Sequence, residues 1–240
     1  MADFTSFNKG LEQLHISLNE QQLQQFYHYY ERLIERNKVI NLTAITEYEE
    51  VIHKHFLDSL SLILWKGFQG EGKLIDIGTG AGFPGIPLKI AFPELEVVLL
   101  DSLNKRVTFL NEVIADLGLK NITAVHGRAE DFARKAEYRE QFSLCVSRAV
   151  AQLATLLEYG MPFVSVGGRF VAYKAGGAEE EIANAQPAVR ILGGQMEEQV
   201  SFQLTGTKME RVFVVVRKEK QGDKKYPRKA GTAEREPLGR

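Results

Sequence analysis

The chain has 240 residues, 44% hydrophobic and 25% charged, enough to bury a full core in one domain with an extension. Its net charge of −1 is uneven: residues 217 to 240 hold nine Lys or Arg against four Asp or Glu, a net +5, which leaves −6 on residues 1 to 216. This excludes a body-wide attraction to polyanions and puts any contact with phosphate on the tail. One cysteine excludes an internal disulfide and a multi-cysteine zinc site, so no metal is expected. No apolar run approaches the ~18 residues of a membrane span, and Met-Ala-Asp-Phe-Thr lacks a basic-then-apolar leader, so no membrane contact is expected and the cytoplasm is the default location.

Residues 3 to 65 carry helical periodicity and no strand pattern. Phe4, Phe7, Leu11 and Leu14 recur at three and four; Leu23, Phe26, Tyr30, Leu33 and Ile34 do so behind Asn19, with Gln22 completing a capping box. Thr46 with Glu49 reads as a second capping box, opening a helix whose Val51, Ile52, Phe56, Leu60, Ile63 and Leu64 share one face. Residues 1–66 are therefore expected to be a helical extension packed on the main domain, partly a packing layer and partly a substrate-side lid. From 67 to 217 strands alternate with helices, the pattern of an α/β domain with a parallel sheet. Strands are expected from 73, at 95–101, 122–126 and 142–148, then at 168–173, 198–204 and 211–217. Helices are expected between Ser102 as cap and Gly118 as stop, at 151–159 and at 178–185. Residues 218–240 have no periodicity and are expected to be a mobile basic tail.

The richest stretch is 73 to 85, Lys-Leu-Ile-Asp-Ile-Gly-Thr-Gly-Ala-Gly-Phe-Pro-Gly. Gly78, Gly80 and Gly82 can take positive φ and bring bare backbone against a ligand. Pro84 suits a first helical turn, and an open helix N-terminus beyond the loop leads to the expectation of a small polar or anionic ligand. Gly80-x-Gly82-x-x-Gly85 satisfies the dinucleotide fingerprint by letter, so an NAD-dependent oxidoreductase is one reading. Asp76, two residues before the first glycine, suits a cationic or amino group better than a pyrophosphate. Asp101 ends a second buried strand 19 residues after Gly82, where a ribose diol is held in doubly wound folds. Together the acid–glycine loop and the second acid resemble class I S-adenosylmethionine-dependent methyltransferases. That resemblance implies S-adenosylmethionine as cofactor and a Rossmann-like, mostly parallel sheet with an antiparallel terminal strand.

In such a sheet the ligand lies at the carboxyl ends of the strands. Ala129 and Glu130 follow the third strand, where a methyltransferase meets adenine, although Glu130 equally suits a helix N-terminus. Arg148, at the exit of the fourth strand, could touch a cofactor carboxylate or RNA phosphate, or pair with Asp76. His55 and Asp58, three apart on a helix, read as a surface pair, and Asn37 and Asn41 as turn and capping residues. No Asn/Asp-Pro-Pro-aromatic run follows the fourth strand, Cys145 sits inside an apolar strand, and no lysine-centred tetrad is evident. The remaining easy acceptor carries its own lone pair, such as guanine N7, and no catalytic residue is singled out.

Five motifs in order, Asn37-x-x-x-Asn41-Leu-Thr43, His55-x-x-Asp58-Ser-Leu60, Asp76 to Gly85, Ser147-Arg148-Ala149-Val-Ala151 and Lys225-Tyr-Pro-Arg-Lys229, resemble the bacterial RsmG family, also called GidB. The resemblance spans nearly the whole chain. It implies methylation of N7 of a guanosine in 16S ribosomal RNA, naked or within the small subunit, with Gly78, Phe83, Ala129, Glu130 and Arg148 as cofactor contacts and Asp101 as the ribose acid. Arg36 stands where the family often has tryptophan, and Ala230 and Ala233 replace family prolines. Lys224, Lys225, Arg228 and Lys229 lie within six residues that contain no acid, beside Tyr226, and are the candidate RNA contacts. A non-catalytic RNA or ribosome binder is the third reading.

Overall fold

The structure is a computed structural model and describes residues 3–148 and 151–239. A seven-stranded sheet runs in the order β3-β2-β1-β4-β5-β7-β6. Its strands are β1 (Gly72–Ile77), β2 (Leu95–Asp101), β3 (Ile122–His126), β4 (Phe142–Arg148), β5 (Val164–Ala175), β6 (Gly194–Gln203) and β7 (Glu210–Lys218). Strands β1 to β5 pair in parallel, while β7 runs antiparallel to both β5 and β6, which makes the terminal strand the reversed one. The chain goes outward from β1 through β2 to β3, then returns to lay β4 on the other side of β1, so the topological switch falls between β1 and β4.

Side chains alternate across this sheet, and the alternation sorts the core into two layers. On β1, Leu74 joins a cluster with Phe7, Phe26, Tyr29, Phe56 and Phe109, whereas Ile75 and Ile77 join one with Leu153, Leu156, Phe163 and Ile182. The first layer is built by α1 (Thr5–Gln13), α2 (Glu20–Ile40), α5 (Gly85–Ala91) and α6 (Asn104–Asp116), and the second by α8 (Leu153–Gly160) and α9 (Glu179–Ile191). The amino-terminal helices therefore share one core with the sheet. Phe26, Tyr29 and Leu33, on one face of α2, are at most 1% exposed, each stabilising by roughly 1.5–3 kcal/mol on burial. The Tyr29 hydroxyl also donates to the carbonyl of Ala81 in the glycine loop.

Local chemistry explains most boundaries. Asn19 caps α2 through a reciprocal box with Gln22, and Asn41 ends it in the left-handed region with φ 47°. The segment after it differs from the expected single helix: a short α3 (Tyr48–Val51) passes into a π-helical turn at Ile52–Leu57, then α4 (Asp58–Leu60) and a 3-10 turn at Ser61–Leu64. Glu47 rather than Thr46 is its N-cap, and Leu103 rather than Ser102 precedes α6, in neither case with a side-chain cap. Gly118 stops α6 with φ +62°. Helix α9 runs through Pro187 to Ile191, well beyond the expected 185.

The tail requires a correction. Residues 219–239 are docked: Pro227, Ala233 and Leu238 are buried, and a turn of helix, α10 (Thr232–Arg235), packs on α8. The cause is Glu158, a carboxylate with no exposed surface inside an otherwise apolar helix, which needs a cationic partner. Arg228 supplies it, with Nε 2.9 Å and Nη2 2.7 Å from the carboxylate and its own backbone N–H 2.8 Å away. Arg228 is therefore a structural cation, not one free to meet RNA.

Candidate cofactor site

The site is assembled where β1, β2, β3 and β4 end. Gly78, Asp101, Ala129 and Glu130 line one cleft of about 210 Å³. Asp101, 2% exposed, ends β2 and holds the loops around it: Oδ2 accepts from the Gly80 N–H at 2.9 Å and from Arg106 at 3.4 Å, and Oδ1 from the Leu103 N–H at 2.9 Å. Glu130 lies in the short α7 (Ala129–Phe132) and is 7% exposed. Three of the expected glycines take positive φ, +68° at Gly78, +64° at Gly80 and +104° at Gly82, but for different reasons. A Cβ at Gly80 would meet no atom within 4 Å, so that glycine presents backbone to open space; at Gly82 it would press on Ile86 and the Tyr29 hydroxyl, and at Gly85 on Leu99 at 2.3 Å.

The expectation of an anionic ligand on an open helix N-terminus is corrected by where the loop's N–H groups go. Gly78 and Thr79 donate to the carbonyl of Leu100, Gly80 to Asp101, Gly82 and Phe83 to Thr79, Gly85 to Asp76 and Ile86 to Gly82. Those donors are committed within the protein, which leaves a pyrophosphate without the N–H groups that would bind it. The cleft wall carries the carboxylates of Asp101, Glu130 and Glu234 together with Arg128, an acidic balance that complements a ligand rich in hydroxyl and amino donors with a cationic centre.

Asp76 lies beneath the loop with no exposed surface. Its Oδ2 accepts from Thr79 Oγ1 at 2.6 Å and from the Gly85 N–H at 2.9 Å, while Oδ1 is buried without a hydrogen-bond partner. Burial pushes its pKa up to about 6, against the lowering effect of those two bonds and of Arg148. An orphaned carboxylate oxygen and an open glycine backbone fit a polar ligand with amino groups, and so fit S-adenosylmethionine.

Phe83 and Arg148 form a second cluster, at the junction with the amino-terminal helices. The Arg148 guanidinium lies 5.1 Å from the centre of the Phe83 ring, and the His55 ring stacks on Phe83 at 4.5 Å. Arg148 pairs with Asp58 at 2.8 Å rather than with Asp76, and Arg211 from β7 reaches the other Asp58 oxygen at 3.0 Å. Asp58 is thus a buried hub, 3% exposed, and the surface-pair reading of His55 and Asp58 is corrected. His55 Nε2 contacts Thr43 Oγ1 at 2.8 Å, and Thr43 in turn is fixed by Asn37, whose Oδ1 accepts from the N–H groups of Leu42 and Thr43. Burial, then Arg148, pushes the His55 pKa down to about 3, so this imidazole is neutral near neutrality. Ala149, in the fourth motif, lies outside the described residues.

A match to the family described as rRNA small subunit methyltransferase G extends over residues 22–211. The chain belongs to that family. Among its members, Ribosomal RNA small subunit methyltransferase G of Lachnoclostridium phytofermentans is 55% identical over 238 residues, covering 99% of this chain and 98% of that protein. The Alkaliphilus metalliredigens and Leuconostoc citreum proteins of the same name are 49% and 47% identical, each over at least 95% of both chains. Solved structures share the fold at low identity: P. horikoshii TYW2 in complex with MeSAdo superposes with a TM-score of 0.55 at 11% identity, over 75% of this chain and 65% of that one. M. jannaschii TYW2 in complex with AdoMet gives 0.50 at 16%, over 62% and 68%.

For this member of the methyltransferase G family, sequence reasoning missed the side of the cleft that lies away from the strand ends: Tyr159 on α8, and Gly231 and Glu234 on the tail. Tyr159 reads as one more apolar residue of a core helix. A signal was nonetheless present in Glu158, a lone acid in Leu-Ala-Thr-Leu-Leu-Glu-Tyr-Gly, which as a buried charge demands a distant cation. Lys224, Lys225 and Lys229 are exposed on the same tail, with Lys225 in a surface pair with Asp223 at 3.2 Å.

Proposed function

We propose that this protein transfers the methyl group of S-adenosylmethionine to N7 of a guanosine in small-subunit (16S) ribosomal RNA, in the cytoplasm. One observation carries this reading: the strand-end cleft with its internally bonded glycine loop and carboxylate wall occurs in a chain that matches the rRNA small subunit methyltransferase G family over residues 22–211. The loop speaks against NAD: its N–H groups, which a pyrophosphate would need as donors, are already bonded within the protein.

Gly78, Gly80, Asp101, Ala129 and Glu130 would hold the adenosine part of the cofactor, with Asp76 beneath the loop and Phe83 and Arg148 toward the amino-terminal helices. The cofactor supplies an electrophilic methyl on a sulfonium. Guanine N7 attacks with a lone pair and loses no proton, so the chain need supply no general base. His55, neutral and with its pKa near 3, matches that requirement: it is too weak a base to remove a proton near neutrality, and serves by stacking on Phe83 beside Arg148. The task left to these residues is to fix two reactants in a dry junction, where positioning lowers the barrier.

The test is a methylation assay with methyl-labelled S-adenosylmethionine on naked 16S rRNA and on assembled small subunits, followed by mass mapping of the product. Label on one guanosine, lost in the Asp101→Asn variant, is expected. Tight rRNA binding with no label transferred to either substrate would instead establish a non-catalytic binder.

A further inference from the structure

The docked tail does more than satisfy Glu158. Gly231 and Glu234 line the same cleft as Asp101, Ala129 and Glu130, so the carboxy-terminal segment completes a wall that the strand ends leave open. Its Gly231 N–H donates to Glu130 Oε1 at 3.3 Å, and Glu234 Oε1 accepts from the Tyr159 hydroxyl at 3.4 Å. Gly231 has φ +76°, and a Cβ there would meet nothing within 4 Å, so the tail turns its bare backbone toward open space at this point. The anchors sit elsewhere along one helix: Glu158 takes Arg228, and Thr155 Oγ1 donates to the Ala233 carbonyl at 3.0 Å, while Tyr159 of the same helix faces the cleft. Arg139 and Arg134 hold the approach by donating to the carbonyls of Tyr226 and Pro227. Helix α8 thereby ties the docking of the tail to the shape of the cleft.

We propose that residues 226–238 form a strap that completes the adenosine side of the S-adenosylmethionine pocket, with Glu234 and the Gly231 backbone contacting the cofactor and the Arg228–Glu158 pair positioning them. This rests on the assignment of the cleft as the cofactor pocket. Glu234 is an exposed carboxylate whose tip, among the described residues, accepts from Tyr159, and an amino or hydroxyl donor of an adenosine is the group it would further accept from. Coupling is reciprocal, so the strap should hold the cofactor and the cofactor should hold the strap.

The experiment is calorimetric titration of the full chain with S-adenosylhomocysteine, together with hydrogen exchange of residues 229–236 with and without it. Glu234→Ala, which removes an exposed carboxylate and its one long bond from Tyr159, is expected to weaken binding at least threefold. The double variant Arg228→Met with Glu158→Gln, which removes both charges so that neither is stranded, is expected to weaken it at least tenfold, and Arg228→Lys less than that. Slower exchange of the strap in the liganded wild type is expected, and its absence in the double variant. If the double variant does not fold, Glu234→Ala and the wild-type exchange decide. Asp101→Asn separates the strap from the pocket: weakened binding there, with unchanged affinity in the strap variants and unchanged exchange, overturns the strap and leaves the pocket. Unchanged affinity in Asp101→Asn as well overturns the pocket and the strap together.

Discussion

Asp76 carries a local cost in the site, and its sign with pH can be worked out. Its pKa rises from the ordinary 3.8 to about 6 on folding, so the folded state favours the protonated acid. Below pH 4 both states are protonated and the group contributes nothing; between about pH 4 and 6 the unfolded chain ionises first, and stability falls as pH rises, to a penalty that persists above. A gap of that size corresponds to roughly 3 kcal/mol as an upper bound. Asp76→Asn should therefore gain stability relative to the wild type as pH goes from 4 to 7, while binding S-adenosylmethionine more weakly. Denaturant midpoints across that range check it, and parallel pH curves for the two proteins would remove the buried charge from the account. The glycines give a companion contrast. Gly80→Ala faces open space and should cost only the roughly 1–2 kcal/mol of a left-handed alanine, with a larger loss in cofactor affinity. Gly85→Ala would drive its Cβ into Leu99 and should lower the melting temperature more, by overpacking of roughly 1–3 kcal/mol. Differential scanning and calorimetric titration of both variants would show whether the two losses separate.

At the scale of elements, the decisive contact is between α8 and the strap. Removing one partner of a buried ion pair strands the other, so Arg228→Ala should cost about 3–5 kcal/mol, whereas Lys225→Ala, which loses an exposed pair with Asp223 and a contact with the Tyr226 ring, should leave the midpoint almost unmoved. Chemical denaturation of the two variants makes the comparison, and equal midpoints would mean that the strap contributes nothing to the fold. This contact also marks where the sequence stops being legible. The order of strands and helices, the capping box at Asn19 and the grouping of Gly78, Asp101, Ala129 and Glu130 follow from local periodicity and strand-end logic, which a single chain displays directly, whereas the reversed terminal strand is implied by the resemblance to class I methyltransferases. The strap follows from a bond across 70 residues between Arg228 and Glu158, and the Asp58 hub from bonds across 90 and 153 residues to Arg148 and Arg211. Neither has a local period. His55 and Asp58, three apart, look like a surface pair because helical spacing says which residues share a face but not which face is covered. Here the π-helical turn at Ile52–Leu57 and the neighbouring β7 turn that face inward.

At the scale of the whole molecule, charge and shape converge on the question of how RNA is held. The body carries −6 and repels a polyanion, so the exposed cations of the tail matter beyond their number. Of the four candidate contacts Arg228 is withdrawn by Glu158, which leaves Lys224, Lys225 and Lys229, all exposed, the last on the strap and the first two directly before it. Such an arrangement would bring RNA phosphate to the edge of the site without placing a competing cation inside it. The matching experiment is a triple variant, Lys224, Lys225 and Lys229 each to Ala, with Arg228 left in place so that the strap stays docked. Its rRNA affinity should fall, and the slope of log affinity against log salt should flatten by about 0.7–0.9 for each phosphate that the three lysines neutralise in the wild type. Cofactor affinity should not move, because none of the three lysines touches the cleft or the Glu158 latch. Replacing Arg228 as well would confound the two effects by loosening the strap, and a drop in cofactor affinity on adding that fourth change is the expected signature of the difference. Parallel salt slopes for the wild type and the triple variant would place the RNA elsewhere, on the amino-terminal face where Asn37, Thr43 and His55 lead to Arg148.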